Sequence, residues 1–294
     1  MSLSFFIELL INGVLTGLMY GLVALGIVLI YKSSGVPNLA QGAMVMVAGY
    51  VIWLFTSWGL PIYVAMLLAA VVMFAFGLLA ERVLLRRMVG QPIIMIVMLT
   101  LGLEIFLRGL VPGLLGTAPK HLSLGISPTP LIIGDVFIDR LYLAGGILAL
   151  VLIALSLLFF RTRLGTKLRA VSDDHVSSWS VGISVERAIG ISWGLAGISA
   201  VVAATIWGSV QSVDWTLSAL LFPAIAVVIL GGLDSIYGAF FGGVALGVLG
   251  SVIPGFIDPL VGGSTRQVVT SVIILLTILI RPYGMFGRED IERI

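Results

Sequence analysis

Between Phe5 and Tyr31 the chain runs FFIELLINGVLTGLMYGLVALGIVLIY, with Glu8 as its single charged side chain. A run this long and this apolar has few homes. A helix of about 20 apolar residues crosses the roughly 30 Å hydrocarbon layer of a bilayer. Further runs of the same kind fall near 38–56, 61–80, 92–111, 141–160, 188–208, 217–233, 237–256 and 266–281. They are continuous, whereas the strands of a membrane barrel alternate polar and apolar residues, so the spans are helices. Charged residues make up 10% of the chain, against about 25% in a soluble domain, too few to coat a globule in water. The mean hydropathy, +1.19, agrees. The expected fold is therefore all-α: one polytopic transmembrane helical bundle over 1–294, with about eight or nine spans including short or re-entrant segments.

The N-terminus lacks the positive flank of a secretory signal, and its apolar run is too long for one, so it reads as a retained first span. Orientation follows from the basic residues, which collect on the cytoplasmic side. Alternating spans put Lys32, Arg82, Arg86, Arg87, Arg161, Arg163, Lys167, Arg169, Arg187, Arg281, Arg288 and Arg293 on one side. The other side holds Arg108, Lys120, Arg140 and Arg266. The first side is expected to be cytoplasmic, with the N-terminus outside and the C-terminus inside. A periplasmic loop then covers about 112–140 and a cytoplasmic one about 161–187.

The 217–233 run contains Pro223 and ends in Gly231-Gly232, so its helical part is short. It and the next run read either as two full spans or as a re-entrant pair, which would need protein or a wet cavity around its irregular backbone. Glycines recur at four-residue spacing: Gly13, Gly17 and Gly21, then Gly238 with Gly242 and Gly243 with Gly247. Such spacing lets helix backbones approach closely in lipid.

Polar residues at the heads of apolar runs mark a candidate path. In NLAQG, Asn38 suits a helix cap after the turn at Gly35 and Pro37. Gln41, one turn later, is expected to face a partner helix or a wet cavity. DSIYGAFFGGVAL (234–246) weakly echoes NLAQGAMVMVAGY (38–50), sharing a polar first residue and a Gly-Ala pair. Interrupted segments at matching places in two halves point to a transport path. Asn38, Gln41, Gly42, Asp234, Tyr237 and Gly238 are the candidates, Asp234 reading mainly as a cap. Glu104 and Arg108, four residues apart, read as an ion pair within a span.

Several chemistries are excluded. Without cysteine there is no disulfide or thiolate metal site. No phosphate-binding Gly-Lys-Ser/Thr loop occurs, RLGTKL lacking its spacing. His121 and His175 are too far apart in sequence to suggest a metal pair, and Ser264-Thr265 reads as a helix start. A net charge of +2 with no basic block gives no reason to expect nucleic acid. The cytoplasmic stretch 161–187 is different. It carries eight charges with apolar Leu164, Leu168 and Val171 at helical spacing, and Asp173-Asp174 suits the start of a second short helix. An amphipathic element of this kind suits docking onto a cytoplasmic partner.

GLMYGLVALGIVLIYKSSGVPNLAQGAMVMVAGY (17–50) resembles the start of high-affinity branched-chain amino acid permeases, the membrane subunits of bacterial ABC importers. The resemblance continues in order through TLGLEIFLRGLV, RTRLGTKLRAVSDD with Gly182-Ile183, ILGGLDSIYGAFFGG and IRPYGMFG, spanning nearly the whole chain. It implies a non-enzymatic permease subunit in the bacterial inner membrane. This subunit would pair with a second, related permease, be driven by two cytoplasmic ATP-binding subunits, and be supplied by a periplasmic binding protein. ATP would be used on the partner chains, with no cofactor on this one. It also implies that 161–187 is the coupling segment, with Gly165, Lys167, Arg169, Asp173, Asp174 and Gly182 at matching positions. Leu39 and Asp234 depart from the pattern, where the family has Phe and Gly. The alternative reading is a self-sufficient channel or secondary transporter for a small polar solute such as urea or an organic acid. It is weakened by the scarcity of ionisable residues within the spans.

Overall fold

The computed structural model describes residues 3–88, 91–127 and 129–287. Arg288 and Arg293 lie outside the described residues, as does the side chain of His175. The helices are α1 (Leu3–Ser34), α2 (Gln41–Ser57), α3 (Ile62–Val83), α4 (Ile93–Leu115), α5 (Arg140–Phe160), α6 (Arg163–Asp173), α7 (His175–Ser180), α8 (Val185–Gln211), α9 (Leu221–Gly231), α10 (Ile236–Val261) and α11 (Thr265–Ile280). Among the described residues, six helices are long and apolar enough to cross a membrane: α1, α3, α4, α5, α8 and α10. Three further apolar helices are shorter: α2, the Trp215–Gly231 unit and α11. Each apolar run of the sequence thus becomes a helix.

α1 is the hub. At about 1.5 Å per residue its 32 residues span about 48 Å, more than the hydrocarbon layer requires. Its centre, including Met19, Leu22, Leu25 and Ile30, is fully buried beneath α5, α8, α9 and α10. The glycines explain how. A Cβ on Gly17 would collide with the Gly243 carbonyl, and one on Gly247 with that of Gly13, so α1 and α10 touch backbone to backbone. Gly238 and Gly242 do the same against α9. Gly77 of α3 faces the backbone of Trp193 and Gly194 in α8. Apolar faces of α3, α4, α5 and α11, carrying Leu67, Ile94, Val151 and Leu275, remain exposed, as suits surfaces meeting lipid or other membrane helices.

Two local features differ from expectation. Inside the 112–140 loop, β1 (Leu131–Ile133) and β2 (Val136–Ile138) form an antiparallel hairpin turned by Gly134 at φ +62°. Two apolar triplets around Gly-Asp are a hairpin signal too short to register as an apolar run. The pair proposed for 217–256 is also unequal. α10 has 26 residues and full crossing length, and only its predecessor is short. That predecessor opens as a 3-10 turn at Trp215–Leu220 and becomes α-helical for 11 residues. Its irregular backbone lies along α2, with Val213 against Gly49 and the Ser218 carbonyl against Gly42, so protein covers that side, while Thr216 and Ala219 line a recess on the other.

Candidate functional site

Charged residues meet at two separate places, one around Lys32 and one around Arg266. At the Lys32 end, α6 folds straight back under α5. Thr162 caps α6 by accepting from the Gly165 N–H at 3.3 Å, and a Cβ on Gly165 would collide with the Phe160 backbone. Arg169 donates from Nη2 to the Phe160 carbonyl at 3.0 Å. Leu168 and Val171 bury the inner face of α6, while Lys167 and Asp173 face outward. Asp174 caps α7, accepting from the Ser177 N–H at 3.0 Å and its hydroxyl at 2.6 Å, so a second short helix does begin at the aspartate pair. Gly182, at φ +81°, ends that helix by donating its N–H to the Trp179 carbonyl. Beyond this frame Trp179 and Val181 are 72% and 74% exposed.

The same end holds Asp234 and Tyr237. Lys32 donates to the Asp234 backbone carbonyl at 2.7 Å and lies 5.6 Å from the Phe160 ring centroid. Lys32, Arg161, Arg169, Asp234 and Tyr237 line a recess of about 230 Å³. The expected cap at Asp234 is corrected to its neighbour: Ser235 accepts from the Gly238 N–H at 3.0 Å, because a helix beginning at Ile236 puts its cap one residue before it. Residues 281–287 then strap this end. The N–H groups of Met285 and Phe286 donate to the carbonyls of Leu230 and Gly231, closing the last turn of α9.

The NLAQG segment lies inside the protein. Asn38 is not the cap of α2. Ala40 holds that position without a side-chain bond, and Asn38 accepts from the Ala40 N–H at 2.9 Å, bending the chain two residues earlier. Gln41 is fully buried, rests on Gly26 of α1 and donates to the Ala196 carbonyl of α8 at 3.3 Å. Of the two surroundings expected for this amide, it has the partner helix. Gly42 gives the close approach to Ser218 and Leu221. Glu104 is buried and stands 3.7 Å from Arg108, whose guanidinium lies 5.3 Å from the Trp215 ring centroid. The pair thereby links α4 to the turn before α9.

A further feature, not legible from apolar runs, lies around Arg266. A recess of about 590 Å³ opens between α1, α9, α10 and α11, lined by Tyr20, Gln211, Leu246, Arg266, Thr270 and Ser271 among others. A neighbouring cavity of about 620 Å³ shares Arg266 and is lined by Glu8, Asp139 and Asp258. The available signal was the polar spacing of Arg266, Gln267, Thr270 and Ser271 within an otherwise apolar run, one face of a helix.

The family model for the permease component of branched-chain amino acid transport systems matches residues 9–280. The permease protein BraD of the high-affinity branched-chain amino acid transport system of Pseudomonas aeruginosa is 29% identical, covering 98% of this chain and 98% of its own. A probable branched-chain amino acid transport permease, LivH of Methanocaldococcus jannaschii, is 31% identical over 90% of this chain and 88% of its own. The high-affinity LivH permease protein of Escherichia coli K12 is 24% identical over 99% and 98%. With its long apolar helices, the chain is a multi-pass membrane protein and belongs to the family of permease components of branched-chain amino acid transport systems.

Proposed function

We propose that the chain is one membrane subunit of an ATP-driven importer for branched-chain or related small amino acids in the bacterial cytoplasmic membrane. In this reading all nine apolar helices enter the bilayer, α9 as a short one. The N-terminus lies outside and the C-terminus inside. The sorting of the charged loops supports it: Lys32, Arg161 and Arg169 meet at one end, whereas Arg266 lies with Glu8, Asp139 and Asp258 toward the other. A second, related permease subunit completes the path, two cytoplasmic subunits bind and hydrolyse ATP, and a periplasmic protein delivers substrate. No cofactor is assigned to this chain.

The observation that carries the reading is the α6–α7 hairpin. Its inner face is fixed by Gly165, Leu168, Val171 and the Arg169 bond, while Trp179 and Val181 project outward. Large apolar side chains on a rigid frame suit a protein partner's groove. Movement of an ATPase would pass through this frame to α5 and α1, and Lys32 extends the connection to the α9–α10 turn. That turn and the buried Asn38, Gln41 and Gly42 would then shift between inward- and outward-facing arrangements, with Asp234, Tyr237 and Gly238 at the inner mouth. A ligand biases such an equilibrium only by its differential affinity for the two arrangements.

The test is to purify the tagged chain gently and compare it with the Trp179→Asp/Val181→Asp variant. A P-loop ATPase and a second permease are expected with the parent, and loss of the ATPase alone with the variant. An ATPase retained at full occupancy by the variant removes the docking role. A parent that comes out alone and passes solute without ATP returns the channel reading.

A further inference from the structure

The recess beside α11 has the size and lining of a small-molecule site. Its volume, about 590 Å³, lies within the range of about 300–1,000 Å³ for small-molecule sites. Its walls combine apolar surface from Ile225, Leu246 and Ile274 with a few polar groups, the composition such sites share. Among the described residues, Arg266 is the single charged one lining it. The guanidinium is held in place, because Nε donates to the Gly250 carbonyl at 2.9 Å. Among the described residues, no carboxylate lies within ion-pair distance of it. A cation in the first turn of a helix also sits at the positive end of the backbone dipole, offset here by Asp258, which accepts from the Thr265 N–H at 3.1 Å. The Arg266 fork of N–H donors matches a carboxylate.

We propose that this recess binds an aliphatic α-amino acid, with its carboxylate on Arg266 and its side chain against Ile225, Leu246 and Ile274. The adjoining cavity with Glu8, Asp139 and Asp258 suits the ammonium end and gives the zwitterion a route in. The assignment deepens the importer reading and rests on it for the substrate class.

The chain has no cysteine, so a thiol placed in the recess is unique within it. Thr270→Cys and Ser271→Cys are made in the assembled transporter, with assembly read from co-purified partner chains. Each is treated with an anionic sulfonatoethyl and a cationic trimethylammonioethyl methanethiosulfonate, and labelling of this chain is read by mass spectrometry. The anionic reagent is expected to gain about tenfold over the cationic one, relative to their rates on a free thiol. Arg266→Gln should abolish that gain. Millimolar leucine should slow labelling, whereas 3-methylbutylamine, which lacks the carboxylate, should not. Absence of charge preference, equal protection by the amine, or no labelling at either position in an assembled transporter overturns the site. Absence of a partner ATPase instead overturns the importer reading, and the charge preference of the recess is still measured on the chain in membranes.

Discussion

Arg169 and Phe160, nine residues apart, are joined by a 3.0 Å hydrogen bond from the guanidinium to a carbonyl that the end of α5 leaves without a helical partner. The bond makes α6 an extension of the α5 frame. Arg169→Ala is expected to lower transport per ATP hydrolysed by about fivefold or more, within the usual span of coupling energies, with the protein still folded. Arg169→Lys should recover part of it, since an ammonium can reach a carbonyl but lacks the planar fork. Faster amide exchange over Arg163–Asp173 in the alanine variant is the accompanying sign. Unchanged exchange would mean that packing alone holds α6.

The α1–α10 crossing predicts which glycines tolerate a side chain. Gly17→Val drives two methyl groups and a Cβ into the Gly243 backbone, and a core that cannot move aside loses about 3 kcal/mol or more. Folded yield should collapse. Gly102, with open space around its Cβ position, is the contrast. Gly102→Ala should be neutral or stabilise by up to about 1 kcal/mol through helix propensity. Thermal unfolding of the two variants in detergent separates these outcomes.

The sequence carried the fold because apolar length is a direct signal in lipid: every continuous run from Phe5 to Arg281 has its helix. The Asp173-Asp174 start of a second helix was equally plain, since capping needs only local chemistry. Asn38 and Asp234 were harder. Each is a good capping residue standing one or two positions from where the backbone places the cap, a choice made by tertiary packing and invisible to spacing. Gln41 illustrates the same limit. A polar amide in an apolar run says that it needs a partner, and only the fold says that the partner is Ala196 of α8. Arg266 in the sequence speaks only to orientation, because its further meaning depends on what α1, α9 and α10 build around it.

Gln41 and Gly26 form a lock whose parts can be tested together. Gly26→Ala puts a methyl group into the Gln41 amide and should destabilise the protein by about 1–3 kcal/mol. Gln41→Ala removes the amide that fills the space and should also destabilise. The double variant should be more stable than the sum of the single effects predicts, because the new methyl occupies part of the vacated volume. Strict additivity in thermal unfolding would show that the two residues do not share this space in the membrane.

The strap at 281–287 makes the most local prediction. α9 ends at Gly231, and carbonyls in its last turn have no helical N–H to accept from. Met285 and Phe286 supply those donors from the chain, and the Phe286 ring stacks on Phe241 of α10 at 5.3 Å between centroids. Gly284 permits the approach: its φ is +75°, and a Cβ there would press on the backbone of Gly232 and Ile229. Met285→Pro deletes the donor to Leu230, and Gly284→Val blocks the approach altogether. Both should speed amide exchange over Val228–Leu233 while leaving the centre of α1 protected. Transport should fall further than unfolding temperature, because the loosened segment adjoins the Lys32–Asp234 contact through which α1 meets the α9–α10 turn. If exchange at the end of α9 does not change in either variant, the turn is held by the glycine contacts of α10 rather than by the strap. Equal losses of transport and of unfolding temperature would make the strap a brace for the fold and remove it from the moving parts.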